Sequence, residues 1–372
     1  MPQCHQAHLL YGARDLRLEL VTTIPPGPGE VQIAPRATGL CGTDLHYYAA
    51  GKNGTFVVKD PLVLGHEFAG DVVAVGSHVT TVRVGDRVVV EPQRPCFKCR
   101  MCRQGRNNLC AQLKFTGSAS SQPPVHGSLQ QLYNHPAELV YALPESISFS
   151  QGALIEPLSV AIHAVKRSGL CGSQHVLITG AGAIGLLCAA VARSIGASNV
   201  TMVDVEESRL QFAQRNGFAN AVLHIPLAAG AGESNATFAA RLAQEAKTLQ
   251  SDPPDVSFEC TGVETCGNIC IYSAAPGGKV VIVGMGKPLH EISLGAAAVK
   301  EVDIISVWRY ANTFPTAIEL LDSGKIDVAS LISHEIDLMD ARDAFEMIES
   351  RPKDLIKCII TSSGNKIAAK QH

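Results

Sequence analysis

The stretch VLITGAGAIGLLCAAVA constrains the fold of this 372-residue chain more than any other part of it. An apolar strand leads directly into Gly180-x-Gly182-x-x-Gly185, and an apolar helix follows. Gly180 would permit a tight turn, Gly182 a close approach of backbone to a pyrophosphate, and Gly185 close packing of helix on strand. Ala183 and Ile184 complete the loop at the positive helix end. The stretch therefore predicts a dinucleotide site within a βαβ unit.

The next apolar strand, NVTMVD, ends in Asp204, about twenty residues after the glycine loop. A carboxylate at this point accepts hydrogen bonds from both ribose hydroxyls and repels a 2′-phosphate, which favours NAD over NADP. Arg209 lies five residues further on and would tolerate a phosphate if Asp204 turned away. A glycine turn in a domain that binds no nucleotide is the simpler alternative.

The pattern of residues changes twice along the chain. Up to about residue 150, short β-branched runs alternate with Gly and Pro, as in GDVVAVGSHVTTVRVGDRVVVEP, which indicates an antiparallel, barrel-like β architecture. Apolar strands then alternate with amphipathic helices to about residue 299, which predicts a parallel sheet covered by helices on both faces. The remaining block is too short for a core of its own, so we expect it to fold back onto the first domain.

A dense cysteine run, PCFKCRMCRQGRNNLC, has the spacing C-x2-C-x2-C-x7-C. Four thiolates close a tetrahedral zinc site and leave no position for a substrate, so the run predicts a structural zinc. An iron–sulfur cluster is the alternative, although no Cys-Pro follows. The basic residues in the run would offset the negative charge of the four thiolates. The predicted ligands are Cys96, Cys99, Cys102 and Cys110.

A second group of metal-binding residue types is scattered through the first half of the chain. Cys41 lies in ATGLCGTDLH, His66 and Glu67 in LVLGHEFAGDVV, and Glu156 in ALIEPLSVA. A charge at the start of an apolar helix, as at Glu156, is costly unless it is paired or bound to a metal. A thiolate, an imidazole and carboxylates together suit a zinc ion with one open position, which is the catalytic form.

Composition and charge exclude several classes of partner. The net charge of −3 and the lack of a basic tract predict no binding to nucleic acid or to an anionic membrane. The N-terminal sequence lacks an apolar core of secretory length, and the longest uncharged stretch is too short to span a bilayer. We therefore expect a cytoplasmic protein with a small-molecule substrate.

Several of these motifs together resemble one family. CGTDLH, GHEFAGDVVAVGSHV, the cysteine run, the glycine loop and WRYANTFP follow one another in the order typical of the zinc-dependent medium-chain dehydrogenases. Within them the chain is most similar to the polyol branch, the sorbitol, xylitol and L-arabinitol dehydrogenases. It has Glu156 where ethanol-type enzymes carry a second cysteine ligand.

The resemblance implies an α/β protein with two domains. A β-rich, GroES-like catalytic domain would comprise residues 1–158 and 300–372, with the structural zinc lobe at about 92–113. A Rossmann domain with a doubly wound parallel sheet would comprise residues 159–299 and bind NAD. A homotetramer is also implied, with dimers joined through the edge strands of two such domains near GKVVIVGMG.

The resemblance also implies roles for individual residues. The catalytic zinc would be held by Cys41, His66 and Glu67, while Glu156 would hold, or replace, a zinc-bound water. The proton relay would run through Thr43 and His46. Glu156 would also contact substrate, and the other substrate-binding residues would be Tyr47, Phe115, Arg309 and Tyr310.

The function implied is zinc- and NAD-dependent oxidation of a secondary hydroxyl of a polyol to a ketose, with about two zinc ions per chain. One alternative is a dehydrogenase of the same family that acts on a non-sugar secondary alcohol of a specialised pathway. The other is a catalytically silent NAD-binding protein. Such a protein would be expected to lose its zinc ligands, whereas this chain retains them.

Overall fold

A computed structural model of the protein describes residues 3–230, 232–249 and 251–362. The chain divides into two compact units. The first unit contains the chain up to Glu156, the segment Phe314–Asp322, and the chain from Leu331 onwards. The second contains Pro157–Thr313 and Ser323–Ser330.

The N-terminal part of the first unit is mostly β-structure with three helices. Its strands are β1 (Cys4–Gly12), β2 (Asp15–Thr22), β3 (Glu30–Gly39), β4 (Lys52–Asn53), β5 (Phe56–Val57), β6 (Leu62–Val63), β7 (Glu67–Val75), β8 (Arg87–Val90), β9 (Gln93–Arg94), β10 (Lys114–Phe115), β11 (Tyr133–Pro136) and β12 (Val140–Ala142). Its helices are α1 (Gly42–Ala50), α2 (Arg100–Arg103) and α3 (Phe149–Ala153).

Strands and helices then alternate. Helix α4 (Ile155–Ser168) begins at the end of the first unit and continues into the second. The strands that follow are β13 (His175–Thr179), β14 (Asn199–Asp204), β15 (Ala221–His224), β16 (Val256–Glu259), β17 (Lys279–Ile282) and β18 (Asp303–Ser306). The helices among them are α5 (Ala183–Ile195), α6 (Glu207–Arg215), α7 (Asn235–Thr248), α8 (Glu264–Ser273) and α9 (Leu294–Ala298).

The chain ends with four elements that belong to the first unit, namely α10 (Phe314–Asp322), β19 (Ile332–Asp337), α11 (Ala341–Glu349) and β20 (Lys357–Thr361). Strand β20 pairs antiparallel with β3, and β19 pairs parallel with β20. The main sheet of the first unit thereby reads β12-β8-β7-β3-β20-β19, with β11 also paired to β3. Strand β3 lies at its centre, flanked by β7 and β20.

The central strand of the first unit is buried along most of its length because both of its faces are covered. Val31 and Ile33 are fully buried, and they pack in one cluster with Phe68, Val72 and Val88 from the neighbouring strands. At the end of β3, Gly39 pairs with Glu67 of β7 on one side and with Ile359 of β20 on the other. Residues that are distant in sequence thus meet across one strand.

The second unit contains a six-stranded sheet in the order β15-β14-β13-β16-β17-β18, and all its strand pairs are parallel. This order is the doubly wound arrangement, in which strand order reverses beside the first strand. The predicted α/β fold class, with a β-rich domain followed by a doubly wound Rossmann domain, is confirmed.

The division between the units differs from the boundary placed at residue 300. Strand β18 hydrogen-bonds in register beside β17 and extends the parallel sheet, so it belongs to the second unit. The sheet therefore ends at β18, the strand that follows GKVVIVGMG, whereas β17 within that sequence is an interior strand. In the described part of the chain, no helix is both long and apolar enough to cross a bilayer.

Candidate metal centres and cofactor site

The structure brings together three scattered candidates for metal binding in the first unit. Cys41 caps the start of α1, His66 lies just before β7, and Glu67 begins that strand. One ligand atom from each lies within 4.8 Å of the others. His66 is 3% exposed and Glu67 1% exposed. A partly exposed thiolate with a buried imidazole and a buried carboxylate at this separation fits a zinc ion that keeps an open position.

Asp44 is a residue of this centre that the sequence analysis missed. Its fully buried carboxylate accepts hydrogen bonds of 3.1 Å from the backbone N–H of Cys41 and of 3.1 Å from that of Gly65. The same carboxylate lies 3.4 Å from Nδ1 of His66. One acid therefore holds both ligand-bearing segments and orients the imidazole, as outer partners of metal-binding histidines do. The signal that could have identified Asp44 is its position three residues after Cys41, in the first turn of α1.

The charges around His66 favour its protonated form. Burial lowers the pKa of the imidazole, but the carboxylate of Asp44 and the sulfur of Cys41 outweigh burial and raise that pKa well above its ordinary value. An imidazole binds metal in its neutral form. A cation that enters the centre would therefore displace the proton of His66.

Lys357 is the second residue that the sequence analysis missed. It begins β20 and is only 5% exposed, and its ammonium forms an ion pair with the Glu67 carboxylate. It also donates a hydrogen bond of 2.9 Å to the carbonyl oxygen of Leu40. Burial lowers the pKa of Lys357, but the charges of Glu67, Cys41 and Glu156 outweigh burial and raise it. Lys357 is therefore a buried cation beside the candidate metal ligands.

Glu156 also lies near this centre. It is buried in the first turn of α4 and is close enough to Lys357 to affect its pKa. The ring of Phe115 packs on the imidazole of His66, with 5.2 Å between ring centroids. The structure therefore places a carboxylate and an aromatic ring beside the three candidate ligands.

Three residues predicted to take part in proton transfer or substrate binding lie on α1. Thr43 is partly exposed and His46 is exposed. The Tyr47 side chain is fully buried, and its hydroxyl lies 3.1 Å from Oγ of Ser118 and accepts a 3.2 Å hydrogen bond from the backbone N–H of Ala119. The Tyr47 hydroxyl is thus already engaged by the loop after β10. The roles of these three residues in proton transfer and substrate binding stay predictions.

Two predicted substrate-binding residues lie in the second unit. Tyr310 is fully buried, whereas Arg309 is partly exposed. Arg309 has a φ of 50°, in the left-handed region, and its guanidinium lies 4.8 Å from the centroid of the Trp308 ring. This backbone conformation is uncommon for a residue other than glycine and tends to occur at functional sites. Contact of Arg309 and Tyr310 with a substrate stays a prediction.

The cysteine run forms a second candidate metal centre in the first unit. The four sulfurs of Cys96, Cys99, Cys102 and Cys110 lie within 4.8 Å of one another. The Sγ atoms of Cys99 and Cys102 are 3.5 Å apart, and the backbone N–H of Cys96 donates to Sγ of Cys110 over 3.4 Å. A hydrogen bond from the backbone of Lys98 is the main cause that lowers the pKa of Cys96, to about 6. Four sulfurs so arranged fit a closed, structural zinc site.

The glycine loop has the geometry that its spacing predicted. Gly180 has a φ of 97°, and Gly182 caps α5 with open space around it. A Cβ at Gly185 would overlap the carbonyl oxygen of Gly180, so this glycine lets helix and strand approach closely. Asp204 ends β14 and accepts a hydrogen bond of 2.6 Å from the backbone N–H of Ala181. Free backbone groups at the start of α5 and an acid beside the loop fit a dinucleotide.

The remaining loop residues, Ala183 and Ile184, open α5. Arg209 lies in the first turn of α6 and is partly exposed. The preference of these residues for NAD over NADP stays a prediction.

Known proteins match the chain over almost its whole length, and two family models match long segments of it. The model of the alcohol dehydrogenase GroES-like domain matches residues 27–145, and that of the zinc-binding dehydrogenases matches residues 183–323. A sorbitol dehydrogenase of Gallus gallus is 40% identical over 354 residues, which are 95% of this chain and 96% of that protein. A sorbitol dehydrogenase of Arabidopsis thaliana is 38% identical over 344 residues, 92% of this chain and 91% of that one.

Solved structures share the fold. The crystal structure of an Escherichia coli oxidoreductase of unknown specificity matches with a TM-score of 0.87 and 33% identity, covering 97% of this chain and 100% of the other. The similarity extends through both units, since almost none of either chain is left unmatched.

Proposed function

The chain belongs to the zinc-dependent medium-chain dehydrogenase family, and from this premise we propose that it oxidises a secondary hydroxyl of a polyol to a ketose with NAD. The observation that carries the proposal is the grouping of Cys41 with the buried His66 and Glu67 within 4.8 Å, in a chain about 40% identical to sorbitol dehydrogenases. Sorbitol, xylitol and L-arabinitol represent the proposed substrate class.

The residues of the first unit would activate the alcohol. Cys41, His66 and Glu67 would hold the catalytic zinc, and Glu156 would hold or replace a bound water. Zinc supplies a Lewis acid that lowers the pKa of a bound hydroxyl to near neutrality. Thr43 would accept the hydroxyl proton, and His46 would pass it to solvent, to which its side chain is exposed.

The glycine loop of the second unit would hold the cofactor. The pyrophosphate would lie at the start of α5, against Gly182, Ala183 and Ile184, where backbone N–H groups point outwards. Asp204 would accept hydrogen bonds from the ribose hydroxyls and repel a 2′-phosphate. Arg209 would lie near the same ribose.

Polar side chains would bind the substrate hydroxyls. The residues proposed for this role are Glu156, Tyr47, Arg309 and Tyr310. Phe115 would form an apolar wall, since its ring already covers the imidazole of His66. A guanidinium and two phenols offer several donors for a molecule that carries many hydroxyls.

The cysteine lobe would hold a second, structural zinc that takes no part in the reaction, because four sulfurs leave no open position. We also propose a homotetramer. The edge strand β18 and the segment before it expose Leu294, Val299 and Ile304, which supports pairing through this edge rather than through β17. A cytoplasmic location stays a prediction of the N-terminal sequence.

A panel of alcohols assayed with NAD and with NADP tests the proposal. We expect NAD reduction with at least one of sorbitol, xylitol, L-arabinitol and ribitol, and its loss in Cys41→Ser or with a strong chelator. Full activity in a metal-free preparation would contradict the role of zinc. Failure of every polyol, with turnover of a hydroxy acid or a bulky alcohol, would instead favour the non-sugar alternative.

A further inference from the structure

We propose that Lys357 is a positioning residue that shares the Glu67 carboxylate with the catalytic zinc and so weakens the bond of Glu67 to the metal. The inference rests on the proposed assignment of Glu67 as a zinc ligand. It assigns a role to a residue at the far end of the chain that lies in none of the motifs.

The ion pair is built across the central strand of the sheet. Glu67 and Lys357 lie on β7 and β20, the two strands that flank β3. Between them lies Gly39, which pairs with Glu67 in the strand register. A Cβ at Gly39 would overlap the Glu67 carboxylate and lie 3.0 Å from Cε of Lys357. The missing side chain thus leaves the space in which the carboxylate and the ammonium meet.

The same ammonium also contacts the short segment between β3 and α1 that contains the cysteine ligand. Nζ of Lys357 donates to the carbonyl oxygen of Leu40, which directly precedes Cys41. One buried cation therefore holds the backbone beside Cys41 and the side chain of Glu67 at once. This leaves the direction of the Glu67 carboxylate dependent on Lys357 rather than on the metal alone.

Charge explains why the cation is placed here. The Cys41 thiolate, Glu67 and Glu156 would together carry three negative charges, all close enough to affect Lys357. A divalent metal and one ammonium would offset these three charges, while a further buried carboxylate, that of Asp44, accepts hydrogen bonds from backbone N–H groups and lies beside His66. Buried charges are costly unless they are balanced, so without Lys357 the carboxylate of Glu67 would have only the metal as a cationic partner.

The role predicts the effect of removing the ammonium. In Lys357→Met, whose side chain has a similar length, Glu67 would turn fully to the zinc. Zinc at the catalytic centre should then leave more slowly, by about tenfold or more, which is the lower end of what outer-shell groups contribute to metal affinity. Lys357→Arg keeps the charge and should restore release near the wild-type rate.

The experiment measures zinc release from the purified full-length protein into excess chelator with a colorimetric zinc indicator. Cys41→Ser identifies the phase that belongs to the catalytic centre, so release from the cysteine lobe is counted separately. Circular dichroism and NADH binding check that each variant is folded. The Glu67→Gln/Lys357→Met double variant removes both charges. If Lys357→Met fails to fold, Lys357→Gln, which keeps a hydrogen-bond donor but carries no charge, replaces it in both backgrounds.

Comparison of Lys357→Met in the wild-type and Glu67→Gln backgrounds isolates the effect that depends on Glu67. We expect slower release in the wild-type background and no change in the Glu67→Gln background. Equal slowing in both would mean plain charge repulsion and would overturn the proposal, as would unchanged or faster release in Lys357→Met. If Glu67→Gln alone leaves release unchanged, the ligand assignment itself is wrong, which distinguishes failure of the proposed site from failure of this inference.

Discussion

The carboxylate of Asp204 accepts a 2.6 Å hydrogen bond from the backbone N–H of Ala181, which ties the end of β14 to the glycine loop. Its other oxygen accepts a hydrogen bond of 2.8 Å from the backbone N–H of Glu206. The carboxylate that would bind the ribose hydroxyls therefore also fixes the conformation of the glycine loop and of the turn after β14. Its charge and its hydrogen bonds can be separated by substitution.

Asp204→Asn removes the charge and keeps the side-chain shape and one oxygen acceptor. We expect the ratio of kcat/KM with NADP to that with NAD to rise by about tenfold, because loss of one repulsive charge near a phosphate is worth about 1–4 kcal/mol at most. Paired assays with the two cofactors measure this ratio. Glu207→Gln, at an exposed carboxylate in the first turn of α6, is the matched control and should leave it unchanged. An unchanged ratio in Asp204→Asn would contradict the assignment.

Two glycines of the loop should respond differently to the same added methyl group. In Gly185→Ala the methyl would overlap the carbonyl oxygen of Gly180, so helix and strand must separate, at a cost of about 1–3 kcal/mol. In Gly182→Ala nothing lies within 4 Å of the new methyl, so stability should fall by no more than about 1 kcal/mol. NADH binding should nevertheless weaken in Gly182→Ala, because the methyl stands where the pyrophosphate would approach. Thermal unfolding and NADH fluorescence titration separate the two effects, and normal NADH affinity in Gly182→Ala would argue against this position for the pyrophosphate.

The two metal centres should be separable. Cys102→Ser should lower the zinc content from about two ions per chain to about one and lower the thermal midpoint, because the lobe loses a ligand of a closed site. The protein that remains folded should retain most of its kcat. Cys41→Ser should lose one zinc ion and nearly all activity. Metal analysis with activity assays tests both variants, and a wild-type content near one ion per chain would refute the structural zinc.

The stability of the first unit should depend on pH through His135. This residue is fully buried, donates from Nε2 to the carbonyl oxygen of Glu91 at 3.0 Å, and accepts at Nδ1 from Arg94 at 3.1 Å. Burial, reinforced by the charge of Arg94, lowers the pKa of His135 well below its ordinary value. The unfolded chain therefore takes up a proton first as the pH falls below about 6.5, and folding stability is lost from that pH downwards.

Urea unfolding at pH 7 and at pH 5 tests this dependence. His135→Gln removes the titrating group, so its free energy of unfolding should fall less between the two pH values, by up to about 1.4 kcal/mol per pH unit. Its stability at pH 7 should itself be lower, since hydrogen bonds of the buried imidazole are lost. His290→Gln, at an exposed position, is the control. An equally steep loss in His135→Gln and wild type would show that other groups carry the effect.

Features encoded by short spacings were predictable from the sequence. The glycine loop, its following acid and the four-cysteine lobe each depend on residues a few positions apart, or on consecutive βα units. Backbone geometry therefore decides which residues are neighbours before any tertiary contact forms. The α/β class and the doubly wound sheet could be predicted for the same reason.

The sequence by itself thus determined the chemistry available to this protein: two sets of metal-binding side chains and a loop suited to a dinucleotide. Only the tertiary structure decided which residues support that chemistry. It placed Lys357 beside Glu67 across Gly39, put Asp44 between the segments of Cys41 and His66, and set β18 at the edge of the parallel sheet. Strand order and register bring distant residues together, and they depend on packing of the whole core rather than on local spacing.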